Sequence, residues 1–155
     1  MNARDFFESV RDAALEETRA ARQIERMRLR EGVRGGSLVP SGSDPKDVNG
    51  LSVTNARIDY EAMMSCGLKE DRELIDGARA ILYGAGEPGG VAVLFGSAVA
   101  GAVALRCISC ENWGVVGDMC CVSPRIAMRW CDAAFDTVDS CGVLDVVQGI
   151  GCAEL

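Results

Sequence analysis

Apolar and small residues recur every three or four positions from Ala3 to about Glu31, at Phe6, Phe7, Val10, Ala14, Ala21, Ile24 and Met27, among charges of both signs. A period near 3.6 places such positions on one face of a helix, so residues 1–31 are expected to form a long amphipathic helix. The period returns near Ser52 to Thr54 and continues through Val53, Ile58, Tyr60, Met64, Leu68, Leu74, Ile75, Ala78 and Leu82, which predicts a second long helix over 51–83. Gly67 and Gly77 weaken it by about 1 kcal/mol each relative to alanine without breaking the pattern. The intervening GVRGGSLVPSGSDPKDVNG (32–50) is crowded with Gly, Ser, Pro and Asp, residues that favour turns, and reads as a flexible linker. Two such helices are expected to close into an antiparallel hairpin or to pair with a second copy as a coiled-coil arm, the equal alternative being a helix that packs only on its own domain. With no stretch of strict alternation, the fold class is all-α.

The segment GAGEPGG (84–90) cannot continue a helix, because Pro88 lacks a backbone donor and the glycines are costly in helical geometry. It is read as the boundary between the arm and a C-terminal module over 91–141, with a tail over 142–155. The uncharged run between Glu87 and Arg106 reaches 18 residues, but it is broken by glycines and Pro88 and is rich in alanine. A buried packing helix is therefore expected there, and no membrane span.

The module carries the functional signal, in LRCISCENWGVVGDMCCVSPRIAMRWCDAAFDTV (105–138). Asn112 can cap a short helix with Trp113, Val115, Val116 and Met119 on its inner side, and a tight turn through Cys120, Cys121 and Val122 follows. Ser123 suits an N-cap and Pro124 the first position of the next helix. In that helix Ala127, Trp130, Ala134 and Val138 make an apolar face, while Arg125, Met128, Arg129 and Asp132 lie opposite. This is the plan of a helix-turn-helix whose second helix enters the major groove, where arginine can make paired hydrogen bonds to guanine. The same spacing also suits a small three-helix bundle with no nucleic-acid role.

Trp113, Val116 and Gly117, the Val122-Ser123 pair, Arg129 and Ala134-Phe135 together resemble region 4 of bacterial sigma factors. More closely, the chain is similar over most of its length to small phage and prophage proteins grouped with sigma-like late-gene transcriptional regulators. Those proteins end in a segment of the type ALRYI-x-x-x-x-W-x-x-V-A, matched here by Ala104-Leu105-Arg106-Cys107-Ile108 and then Trp113, Val116 and Gly117. Cys107 stands in place of an aromatic residue, Cys121 in place of a usual turn glycine, and the second helix carries fewer basic residues than many relatives. The resemblance implies a sequence-specific, non-enzymatic DNA-binding regulator in the bacterial host cytoplasm. It implies that Ser123, Pro124, Arg125, Met128 and Arg129 face double-stranded DNA. Trp113, Val116, Met119, Val122, Ala127 and Trp130 would form the core of the helix pair.

Charge constrains how such a protein could act. There are 16 Lys and Arg against 23 Asp and Glu, a net charge of −7, and residues 91–155 hold three basic and seven acidic residues. This charge counts against coating DNA by long-range attraction, and a homodimer through the helical arm, reading two half-sites, is expected to double the contacts. Asp132 and Asp136 should then point away from phosphate. The rival readings are a protein-interaction module contacting RNA polymerase or another phage protein, and a DNA-packaging protein resembling the small terminase subunit.

The eight cysteines accompany no histidine. The start MNARDFFESV has no apolar signal core, so free thiols in the cytoplasm are expected. Cys107, Cys110, Cys120 and Cys121 supply four sulfurs, but adjacent Cys120 and Cys121 point to opposite sides of the chain, so neither a metal nor another cofactor is expected. The cysteines, Cys131 and Cys141 included, are read as small apolar residues. No nucleophile elbow and no phosphate loop with its lysine is present, and the glycines of 84–90 resemble a nucleotide loop in composition only.

Overall fold

The computed structural model describes residues 1–35 and 47–152. These form seven helices and, among the described residues, no strand: α1 (Ala3–Gly35), α2 (Asp47–Tyr83), α3 (Gly90–Phe95), α4 (Ser97–Cys107), α5 (Trp113–Cys120), α6 (Pro124–Cys141) and α7 (Val143–Val147). The chain is thus all-α. Both long helices exceed their expected bounds, α1 continuing past Glu31 and α2 starting before Ser52. Of the expected linker, residues 36–46 lie outside the described residues.

Two compact units result, Met1–Leu15 with Asp71–Leu155, and Glu16–Glu70. In the second unit the later turns of α1 and the earlier turns of α2 are joined by an ion-pair cluster. Arg57 binds Glu31 at 2.7 Å and Glu61 at 2.8 Å, and Arg28 reaches Glu61 at 3.3 Å. The pairing of 28 with 61 and 31 with 57 makes the helices antiparallel. The hydrogen bond from Arg57 holds the Glu61 carboxyl below the ordinary glutamate range.

The first unit carries the main core. Phe7, Val10 and Ala14 of α1 and Ile75, Ala78, Ile81 and Leu82 of α2 are buried in one cluster with Val103, Val116, Cys131, Phe135 and Val146. The GAGEPGG segment therefore turns the chain inside this unit and does not divide two units. At its end Gly90 has φ 70°, and a Cβ there would stand 2.5 Å from the carbonyl oxygen of Ile81, so the close return of α3 onto α2 depends on glycine. The uncharged run becomes α3 and α4, and α4 buries Val99, Ala100, Ala102, Val103 and Cys107. No helix among the described residues is long and apolar enough to cross a membrane.

The start of α1 is fastened to α6 at three levels. The backbone N–H of Ala3 donates to Asp139 Oδ1 at 2.7 Å, Arg4 pairs with Asp132 at 2.6 Å, and Phe7 stacks on Phe135 with ring centroids 5.0 Å apart. At the other end, α7 brings Cys152 back to Cys141, with Cα atoms 4.8 Å apart, and the two form a disulfide. The expectation of free thiols fails at this pair, because Gly142 at φ 90° and the short α7 reverse the chain onto the end of α6. Val146 is fully buried, so the tail is docked at that point.

Candidate nucleic-acid interface

Helices α4, α5 and α6 pack on one another, and the α5–turn–α6 joint follows from local cap chemistry. Asn112 is the N-cap of α5, its Oδ1 accepting from the Val115 N–H at 3.0 Å. Ser123 caps α6, its Oγ accepting from the Ile126 N–H at 3.3 Å, with Pro124 at the first helical position. Cys121 ends α5 in the left-handed conformation, φ 57° and ψ 37°, at the position where a glycine is usual. The Val122 N–H then donates to the Gly117 carbonyl at 2.9 Å, satisfying an end group of α5.

Of the residues expected in the core of this pair, Val116 and Ala127 are fully buried, while Trp113, Val122 and Trp130 are half-buried against the main cluster. Met119 is a correction: it is 63% exposed. The inward line of α5 runs through Trp113, Val116, Gly117 and Cys120, and Met119 falls about 100° off Cys120 around the helix. Cys131 and Phe135 were missed as core residues, although both lie four positions beyond buried or inward-facing neighbours on α6. Arg106 reaches across to Trp113, its guanidinium carbon 4.7 Å from the ring centroid, and donates to the Glu111 carbonyl at 3.0 Å.

Ser123, Pro124, Arg125, Met128 and Arg129 are all exposed and all lie in the first two turns of α6 or at its cap. Arg125 and Arg129, one turn apart, enter no salt bridge among the described residues. Asp132, one turn further, is held by Arg4. Asp136 differs from expectation: at 100° per residue it returns to the side of Arg125, about 16 Å further along the axis. Arg4 was invisible to motif reading because it reaches this face from the other end of the chain.

No family profile, no curated protein and no solved structure matches this chain.

Burial favours the protonated thiol at four of the cysteines around the joint. Burial pushes Cys107 up to about 11 and Cys131 up to about 12, and raises Cys110 and Cys120 in the same direction. Cys110 also donates its S–H to the Arg11 carbonyl at 3.6 Å. Among the described residues no group of three or more His, Cys, Asp or Glu is placed to hold a metal ion. The buried sulfurs of Cys107 and Cys131 pack as small apolar groups in the main cluster.

Proposed function

We propose that α4–α6 is a helix-turn-helix that lays the N-terminal turns of α6 in the major groove of double-stranded DNA, and that the protein is a sequence-specific transcriptional regulator of phage or prophage type. The observation that carries this reading is the joint itself. A short helix, a three-residue turn with one left-handed residue, and a capped second helix leave Arg125 and Arg129 exposed and, among the described residues, without ion-pair partners. The Arg4–Asp132 pair supports it by offsetting one carboxylate on the same face. Dimerisation through the helices of Glu16–Glu70 would double a contact set that is small for a single chain.

The test is retention of genomic fragments at two salt concentrations by the wild-type chain and by Arg125→Ala/Arg129→Ala. Two phosphate-neutralising arginines per chain imply a slope of log affinity against log salt of about −2 for one chain and about −4 for a dimer. Specific retention that the double substitution and added salt both abolish is the expected result. Absence of retention even at low salt sinks the reading.

One observation favours the rival, a module that contacts RNA polymerase or another protein. Met119 (63% exposed), Ile126 (41%) and Met128 (38%) give the same region an apolar surface, and an apolar contact would be nearly insensitive to salt.

A further inference from the structure

The later turns of α1 carry Arg19, Arg22, Arg26 and Arg30, all exposed. Spacings of three, four and four residues place them within an arc of about 80° around the helix, over about 16 Å of its length. The side of α1 turned to α2 lies about 130° away, at buried Ala20, half-buried Ile24 and Met27, and Glu31, which binds Arg57. Arg28, on that same side, is met by Glu61. In the exposed stripe Arg19 pairs with Glu16 at 2.8 Å, while Arg22, Arg26 and Arg30 enter no ion pair among the described residues. A solvated helix face ordinarily mixes charges three and four residues apart, because like charges at that spacing repel. Here three unmatched cations stand in a row in a chain of net charge −7, an arrangement that an anion from outside the chain relieves.

We propose that this stripe is a second contact surface for double-stranded DNA, one that grips phosphates and reads no bases. Charge and shape select that occupant. One strand of a duplex presents a phosphate about every 3.4 Å along the axis, so about five stand beside a stripe of this length. A guanidinium holds a phosphate through paired hydrogen bonds, which suits arginine over lysine at such a surface. An anionic membrane would need a free apolar face beside the charges. That face of α1 is turned to α2, and of the large apolar residues on these turns only Leu29 is exposed. The inference rests on the DNA-binding reading for its partner, but it uses none of the α6 residues, so the two can fail separately.

The experiment is fluorescence anisotropy of a short mixed-sequence duplex titrated with the full chain at two salt concentrations. Three proteins are compared: wild type, Arg22→Gln/Arg26→Gln/Arg30→Gln, and Lys69→Gln/Arg72→Gln/Arg79→Gln, which loses the same charge at other exposed positions. Three phosphate contacts steepen the salt slope by about 3 per chain, so a fourfold rise in salt should weaken the wild type about fortyfold more than the stripe variant. The variant with charge removed elsewhere should follow the wild type. Should the stripe variant lose its helical circular dichroism, Arg26→Gln alone carries the test, with a slope shallower by about 1. A stripe variant with the wild-type slope, or an equal change in the other triple variant, overturns the proposal. So does poly-L-glutamate competing as well as the duplex, which would assign the stripe to an acidic protein, or a dimer that dissociates only when the stripe is removed, which would assign it to a second copy. Arg125→Ala/Arg129→Ala, run alongside, tells the two surfaces apart: loss of fragment selection there with an unchanged stripe variant sinks the stripe alone, and the reverse sinks the α6 reading alone.

Discussion

Gly117 lies so close to Val122 that a Cβ on it would stand 2.7 Å from the Val122 carbonyl oxygen and 3.1 Å from the Pro124 nitrogen. The approach of α5 to the start of α6 therefore depends on the absence of one methyl group. In an open helix Gly→Ala gains up to about 1 kcal/mol. Gly117→Ala is expected instead to cost about 1–3 kcal/mol in urea unfolding, because its obstacle is backbone and cannot swing aside. A stabilised Gly117→Ala protein would mean that the two helices meet less closely.

Cys121 makes the opposite case. It holds a left-handed conformation at a cost of about 1–2 kcal/mol for a residue with a Cβ. Cys121→Gly should recover about 1 kcal/mol, and Cys121→Val should lose stability, since a β-branched residue tolerates that region worst. Thermal melts of the two variants measure both signs.

The caps are expected to act separately. Ser123→Ala and Asn112→Ala each remove a side-chain acceptor from a helix start, and each should cost about 1 kcal/mol. If the double variant loses much more than the sum, the joint forms as one cooperative element.

Thiol chemistry should sort by burial. At mildly alkaline pH, iodoacetamide should modify the exposed Cys66 and Cys121 first, leaving Cys107 and Cys131 protected in the folded chain. The last two also set a pH dependence of stability. An unfolded thiol ionises near 9, whereas these remain protonated up to about 11 and 12, so above pH 9 the native state binds more protons than the unfolded one. Their contribution to stability is complete below pH 9 and is lost as pH rises toward 11 and 12. A urea midpoint that rises over that range would contradict the burial of both thiols.

Reduction of Cys141–Cys152 releases an eleven-residue closure, and Cys152→Ser should lower stability by about 3 kcal/mol on chain-entropy grounds. Hydrogen exchange should quicken first in α7. Uniform protection of α7 in both forms would show that burial of Val146 alone holds the tail.

What the sequence made legible was what short-range chemistry decides. Asn112, Ser123 and Pro124 act within one turn of their own positions, so their residue types alone announce where α5 and α6 begin. Met119 was misplaced because an eight-residue helix offers few positions from which to tell its inner line from the flanking one. Arg4, Phe7 and Phe135 were out of reach for another reason: their partners lie more than a hundred positions away, and nothing in local spacing says which helices meet. The Cys141–Cys152 pair was hidden by the assumption of a reducing compartment, which speaks to chemistry in general and not to a Gly142 turn that brings two sulfurs together.

The fastening of Phe7 to Phe135 also sets an order of events during synthesis. Phe7 leaves the ribosome more than a hundred residues ahead of the ring it stacks on. At ordinary translation speeds the delay is on the order of ten seconds. Until α6 emerges, that face of α1 can be covered only in part, by α2.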